Sequence, residues 1–380
     1  MYLYGLKKYI WALKLWLECK SARTLPLKFK FYIWQLLKNE KLVKLDSKYI
    51  IFSQFPPYPS KAFDRYLEGL SKIAHGMPVP LSLEVGATSK CKYNCWHCSN
   101  TYRSGKEISK ARIIQALTKF QSLGTAWICF TGGEPLLRED IFEIISAIDK
   151  DKSSVALFTT GQDLTERVAE KLKVLGVFCL LISLDSDDKD RHDTLRGYSG
   201  AYENALNAVK ISKAQGFYTV ISAVATKDNI ISGELLRVLK FAKELGVHEC
   251  RILEIAPAGK LIYDTSTALD TEARKKIISM HIRANRSFEY PRVLAFPYFE
   301  SPAVMGCAGG YQHLVIDSRG NVCPCPFLPL SMGNINEEDV FGWNDNSLIS
   351  GMRQKTLFGI EEEKPDKKVV KKGAKLEDFY

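Results

Sequence analysis

From Leu81 onward the chain alternates between short apolar runs and longer amphipathic stretches. The apolar runs lie at Leu81–Val85, Ala126–Phe130, Val155–Thr159, Phe178–Leu184, Thr219–Val224 and Arg251–Ile255. Near-continuous apolar character over so few residues predicts strands buried on both faces. The stretches between them, 109–123, 139–149, 164–175, 201–214 and 234–245, space their apolar residues as helices do. Gly124, Gly176, Gly216 and Gly246 each follow one of these, where a left-handed helix cap calls for glycine. Strand–helix alternation implies a parallel sheet with right-handed crossovers. Six strands predict an α/β fold, a partial (β/α)6 TIM-like barrel, whose functional loops leave the C-terminal strand ends.

The first 78 residues break from this pattern. Tyr2, Tyr4, Tyr9, Trp11, Trp16, Phe29, Phe31, Tyr32 and Trp34 are mixed with lysines, and Leu13, Trp16 and Leu17 fall at helical spacing. Charges interrupt every long apolar run, so a spanning helix of roughly 20 apolar residues does not fit. Lys14 and Glu18 also break any secretory signal. Two readings stand for this helical segment: a helix lying on an anionic membrane surface, or a helical hairpin packing its aromatics on the main domain. Pro56-Pro57-Tyr58-Pro59 and Met77-Pro78-Val79-Pro80 close it off. The expected organisation is a basic N-terminal segment over 1–78, the barrel over 79–258 and a helical linker over 259–306. A small cysteine-containing hairpin module over 307–345 follows, then a C-terminal helix and charged tail over 346–380.

Charge sharpens this division. The net charge is +10, and residues 1–48 hold eleven Lys or Arg against Glu18, Glu40 and Asp46, so eight of the ten charges sit there. The near-neutral body argues against a nucleic-acid enzyme. Six of the ten cysteines form two tight groups rather than a disulfide framework. That usage points to metal ligands in a reducing cytoplasm.

The first group is Cys91-x3-Cys95-x2-Cys98, directly after the first predicted strand. One loop can turn these three sulfurs toward one point, as a cuboidal iron–sulfur cluster requires. Three thiolates would leave one of four irons open. The alternative is a zinc site completed by His97 or a distant residue, though the two paired spacings of structural zinc are missing, with Cys95-x2-Cys98 the single C-x2-C. Thr131-Gly132-Gly133-Glu134-Pro135 follows the second strand, and Ser183-Leu184-Asp185-Ser186 closes the fourth. All three segments fall on one predicted rim. Cys129, Cys179 and Cys250 lie in or beside strands and read as small buried apolar residues, while Cys19 carries no motif.

The three-cysteine loop followed by Gly-Gly-Glu-Pro resembles the radical S-adenosylmethionine superfamily. The resemblance implies a 4Fe-4S cluster on Cys91, Cys95 and Cys98 whose open iron is chelated by S-adenosylmethionine. Reductive cleavage then yields a 5′-deoxyadenosyl radical that abstracts hydrogen from substrate. A flavodoxin- or ferredoxin-type electron donor is implied as a partner. Gly132 and Gly133 would let backbone carbonyls approach the ligand's ammonium, with Glu134 adding negative charge. Ser183 and Arg196, the latter within His192-Asp193-Thr194-Leu195-Arg196-Gly197, resemble residues that hold the ribose and the methionine carboxylate. Leu253 would flank adenine and Glu254 would face the substrate cavity. His97 and Trp96 would pack beside the cluster.

The second group, Cys307 with Cys323-Pro324-Cys325 after an Asp317-Ser318-Arg319-Gly320 turn, resembles the opening of a SPASM or twitch extension, continued by Met332-Gly333-Asn334-Ile335 and Trp343. Such extensions carry more cysteines downstream, and none follows Cys325 here. Cys307, Cys323 and Cys325 therefore allow one auxiliary cluster with a non-cysteine or open fourth position, or a metal-free hairpin. The expected activity is radical chemistry on a peptide or protein. The same chemistry on a small or lipid-linked substrate, with peripheral membrane contact, is the second expectation. A non-catalytic iron–sulfur carrier is the third.

Overall fold

The computed structural model describes the chain except Met1 and residues 101–105, 302–303, 329 and 337–380. Trp343 and the expected C-terminal helix and tail lie outside the described residues. The N-terminal segment contains strand β1 (Tyr2–Leu3), helices α1 (Gly5–Glu18), α2 (Lys20–Arg23) and α3 (Leu27–Leu37), strands β2 (Leu42–Leu45) and β3 (Lys48–Ile50), and helix α4 (Lys61–Ala74). It was expected to be helical, but β1, β2 and β3 form an antiparallel sheet. Each of these strands is two to four residues long. Runs this short leave too little alternation to separate from a lysine-interrupted helix pattern.

The barrel follows in the expected order. Its strands are β4 (Ser82–Thr88), β5 (Trp127–Gly132), β6 (Ser154–Thr159), β7 (Val177–Ser183), β8 (Tyr218–Ala225) and β9 (Glu249–Glu254). The intervening helices are α5 (Lys110–Leu123), α6 (Ile141–Ser146), α7 (Glu166–Val174), α8 (Lys189–Arg196), α9 (Ala201–Ala214), α10 (Lys227–Ile231) and α11 (Glu234–Glu244). Side-chain caps start several of them: Ser109 accepts from Arg112 N, Thr165 from Val168 N, and Thr226 forms a reciprocal capping box with Asn229. All six strands pair in parallel with their sequence neighbours. β4 and β9 do not pair with each other, so the barrel is partial, as expected.

Two further parallel strands widen it. After helix α12 (Thr271–Arg286), strand β10 (Arg292–Ala295) adds to β9 and leads into the short helix α13 (Phe296–Phe299). The stretch 259–306 thus holds a strand as well as the expected helix. Strand β11 (His313–Ile316) pairs in parallel with the opposite edge, β4, and continues antiparallel into β12 (Asn321–Cys323) and β13 (Gly333–Asn334). The cysteine hairpin is therefore an extension of the barrel sheet.

Two apolar layers hold the fold. Outward strand residues such as Leu83, Ile128, Leu157, Leu180, Ile221 and Ile252 pack under the helices. Inward residues near the N-terminal strand ends, including Trp127, Cys129, Cys179 and Tyr218, pack with Val43 of β2 and Ile50 of β3. The N-terminal sheet is thus the floor of the barrel. It is fastened by buried polar groups: Glu40 meets Arg292 at 2.6 Å and His281 at 2.8 Å, and Arg292 meets Glu249 at 3.1 Å. Tyr218 Oη donates to the same Glu249 at 3.0 Å, and Lys41 Nζ donates to the carbonyls of Ser287 and Tyr290. Burial pushes the Lys41 ammonium down to about 7.

Candidate active site

At the other end of the barrel β4 runs into the cysteine loop, after a register shift between Gly86 and Thr88 against β5. The loop is braced on three sides. The Glu107 carboxylate accepts from Thr88 Oγ1, Ser89 N and Ser89 Oγ at 2.5–3.1 Å. The C-terminal carbonyls of α8 accept from the loop: Asn94 N reaches Arg196 O at 3.2 Å and Trp96 N reaches Leu195 O at 3.4 Å. Lys260 Nζ donates to the carbonyls of Asn94 and Cys95, and its backbone N–H to Cys98 O.

The Gly-Gly-Glu-Pro turn is stitched to the start of that loop. Gly133 N donates to Thr88 O at 2.7 Å and Glu134 N to Lys90 O at 2.8 Å. A Cβ on Gly132, which takes φ +130, would lie 2.4 Å from Thr88 O, and one on Gly133 would lie 2.1 Å from Lys90 O. Both positions therefore require glycine for backbone-to-backbone approach, whatever ligand they also serve. The Glu134 carboxylate is buried and turned along the sheet. It accepts from Thr159 Oγ1, Thr160 N, Thr160 Oγ1 and Leu136 N at 2.7–3.3 Å. Burial raises its pKa, although these four donors oppose the shift. Expected as a negative charge beside a bound cation, Glu134 instead ties the end of β5 to the end of β6.

Behind the loop lies a buried charge cluster. Asp185 Oδ2 is 2.8 Å from Arg196 Nη2 and 3.8 Å from His97 Nε2, and Asp185 Oδ1 accepts from Val224 N at 3.0 Å. Asp185 N donates to His192 Nδ1, which fixes that imidazole as an acceptor. Burial alone would raise the Asp185 carboxyl, but the Arg196 guanidinium overrides it and holds the group below the usual carboxylate range. Burial also pushes His97 and His192 down to about 4, so both rings are neutral near pH 7. Arg196 was expected to meet a ligand's carboxylate. Here its Nη2 is taken by Asp185, while its Nη1 lies 4.0 Å from Cys95 Sγ and its Nε has no partner.

Cys91, Cys95 and Cys98 all line one cavity of about 530 Å³. Burial lifts Cys91 to about 11 and raises Cys95, the latter opposed by Arg196. Thiols in this state are poor anions on their own, and a bound iron cluster is the agent that would draw three of them into thiolate form. Tyr93 N, 3.4 Å from Cys91 Sγ, and Arg196 supply donors to the sulfurs, as clusters use. Among the described residues no three His, Cys, Asp or Glu side chains converge on a point suited to a single ion. Three cysteines of one loop lining one cavity, with a backbone N–H and a guanidinium beside their sulfurs, are the donor set a four-iron cluster takes, so the residues present fit the cluster.

Gly132, Gly133, Ser183, Arg196 and Leu253 line the same cavity, whereas the Glu134 side chain does not. Glu254 lines it too, held at the mouth by Arg274 at 2.7 Å. The second cysteine group divides. Cys307 and Cys325 face this cavity close to each other, with Gly309 between them, while Cys323 faces a separate hollow beside Asn321 and Ser331. Burial pushes the Cys325 thiol up to about 11.

One lining residue escaped notice in the sequence. Arg251 is 6 % exposed, with its guanidinium carbon 5.0 Å from the ring centre of Phe158 and 4.5 Å from that of Phe296. Its side chain makes no hydrogen bond or ion pair among the described residues, and its Nε is buried without a partner. Burial pulls its pKa below that of a free guanidinium. The available signal was an arginine inside an apolar strand, two residues before Leu253 and so on the same inward side.

Residues 85–242 match the family model described as the radical SAM superfamily, and residues 307–361 match one described as an iron–sulfur cluster-binding domain of SPASM type. The AdoMet-dependent heme synthase of Methanosarcina barkeri is 27 % identical over 276 residues, covering 66 % of this chain and 78 % of that protein. A PqqA peptide cyclase of Ruegeria pomeroyi is 25 % identical, covering 66 % and 68 %. The crystal structure of Streptococcus suis SuiB bound to precursor peptide SuiA has the same fold. Its TM-score is 0.59 at 17 % identity, covering 76 % of this chain and 70 % of that one.

Proposed function

This chain is a radical S-adenosylmethionine enzyme with a SPASM-type C-terminal region, and on that premise we propose that it abstracts hydrogen from a peptide or protein presenting a carboxylate to Arg251. The observation that carries this reading is the buried guanidinium between two phenyl rings in the cavity that the cysteines line. Glu84, Glu249 and Glu300 lie near enough to act on this buried guanidinium but make no direct ion pair with it, and a ligand carboxylate meeting its planar fork would supply that pair. When bound, the cluster and S-adenosylmethionine supply the radical that removes the hydrogen.

The chain's own residues do the rest. Cys91, Cys95 and Cys98 would hold the cluster, with Arg196 moderating the charge on Cys95. Gly132 and Gly133 would offer the turn for the methionine end of the cofactor, while Ser183 and Leu253 would bound its ribose and adenine. Phe158 and Phe296 hold the Arg251 plane and exclude water from its faces. Cys307 and Cys325 would serve as ligands for one auxiliary cluster, and Cys323 would have to turn from its present side to join them. Electrons arrive from a flavodoxin- or ferredoxin-type donor. A peptide is favoured over other acids because a peptide cyclase stands among the relatives and SuiB binds its peptide within the same fold.

The test compares cluster-loaded enzyme and its Arg251→Met variant, with synthetic peptides ending in a free carboxylate or in an amide. Release of 5′-deoxyadenosine is measured anaerobically. Acid peptides should stimulate release in the parent and lose about 100-fold in kcat/KM with Arg251→Met, amide peptides showing little effect in either. Equal stimulation of the variant would remove the carboxylate assignment. A second reading, a small carboxylic acid, is favoured by the cavity size, which lies in the range of small-molecule sites. Stimulation by free acids but by none of the peptides would select it.

A further inference from the structure

Helix α1 is apolar on two opposite sides. One side packs Trp11, Ala12 and Leu15 into the protein. The other carries Leu6, Ile10, Leu13 and Leu17, spaced four, three and four residues apart and therefore one straight stripe. Helix α3, packed on α1 through Trp34 against Tyr9 and Trp16, adds Leu27 and Phe31. These six side chains are 51–83 % exposed. A surface helix of a water-surrounded protein turns charged residues outward. Here the outward face is leucine and isoleucine, and the charges sit on its flank.

Those charges have one sign. Lys7, Lys14, Lys20 and Arg23 are exposed, and Glu18, paired with Lys14 at 3.6 Å, is the lone acid among the first 39 residues. A second copy of the chain docked on this stripe would bring two strongly basic segments together, which the charge pattern opposes. An anionic lipid surface satisfies both features at once: headgroups meet the lysines while the leucines enter the acyl boundary. No helix among the described residues is long and apolar enough to cross a membrane, so the contact lies in the interface plane.

We propose that the outward face of α1, with Leu27 and Phe31 of α3, docks this enzyme on an anionic lipid surface. The N-terminal segment bonds to the barrel at its floor, through Tyr2 to the carbonyls of Val247 and His248 and through Lys41 to those of Ser287 and Tyr290. The cysteine loop leaves the opposite strand ends. Docking therefore holds the rim with the cysteines on the water side, and the lipid is a platform rather than a substrate.

The test is co-sedimentation of the full-length, cluster-loaded protein with vesicles of phosphatidylcholine alone or mixed with phosphatidylglycerol. Binding should require phosphatidylglycerol, weaken in raised salt, and fall about tenfold or more in Ile10→Ser/Leu13→Ser. A Lys7→Glu/Lys14→Glu variant should fall comparably while keeping its urea midpoint and its cleavage of S-adenosylmethionine. Equal partition to neutral vesicles, or none to either, would overturn the proposal. So would a concentration-dependent dimer that Ile10→Ser/Leu13→Ser converts to monomer without changing vesicle binding.

Discussion

The two ends of the barrel bury similar charges and treat them differently. At the floor, Arg292 meets two carboxylates, Glu40 is shared with His281, and Glu249 also accepts from Tyr218 and Ser53. Only the Arg292 Nε is left without a partner among the described polar atoms of this network. At the rim, Asp185 meets Arg196, but among the described residues Arg196 Nε, His97 Nδ1 and the Arg251 Nε of the cavity lining have no hydrogen-bond partner. Buried polar atoms are normally satisfied, and the exceptions need an explanation. A closed network specifies how two pieces of chain dock. An open one leaves donors for a further member, which the function proposed above takes to be cofactor and substrate.

The largest effect that tests this contrast is at the rim. Replacing Cys91, Cys95 and Cys98 by Ala should take iron at that site from about four per chain to none and abolish reductive cleavage of S-adenosylmethionine, with the urea midpoint little changed. Iron analysis and 5′-deoxyadenosine release on the anaerobically reconstituted variant check it, and surviving cleavage would refute the site. The floor should respond in the opposite way. Glu40→Ala leaves Arg292 and His281 facing an absent carboxylate and should cost about 3–5 kcal/mol in urea unfolding. Its cleavage rate per folded molecule should stay unchanged. A stable Glu40→Ala protein with lost cleavage would erase the distinction between the ends.

The smallest predicted effect is one of pH, and both ends share it. His192 at the rim and His248 at the floor each accept a backbone N–H at Nδ1 and are pushed down to about 4 from an ordinary value of 6.5. Between those values the unfolded chain binds a proton that the native state does not. Stability should therefore be fully present above pH 6.5 and be lost progressively as pH falls toward 4. Urea midpoints across that interval should fall in the parent and fall less in His192→Gln and His248→Gln. Equal slopes in all three would show that neither ring contributes.

Much of this molecule was legible along the chain. The six apolar runs carry the six barrel strands within a few residues, because strands buried on both faces write an unbroken apolar signal. The glycines past 109–123, 164–175, 201–214 and 234–245 take φ from +68 to +118, as a left-handed cap requires. Strand β10 was not legible, since four residues after Pro291 present no period to read. The N-terminal aromatics fitted a membrane face or a core face equally well. In the fold Trp11 is buried while Leu6 and Leu13 are exposed, so only one side of the segment is a core face.

By itself the sequence determined the barrel and the chemistry of the rim, because both rest on local periodicity and on thiols packed within eight residues of chain. Tertiary structure decided which side chains are satisfied. It turned Glu134 toward Thr159 and Thr160, set Asp185 against Arg196, and parted Cys323 from Cys307 and Cys325. It also left Arg251 between two rings with its Nε unbonded. Whether a polar group is paired depends on residues distant in sequence that arrive only when the sheet is assembled, and no spacing along the chain records that arrival.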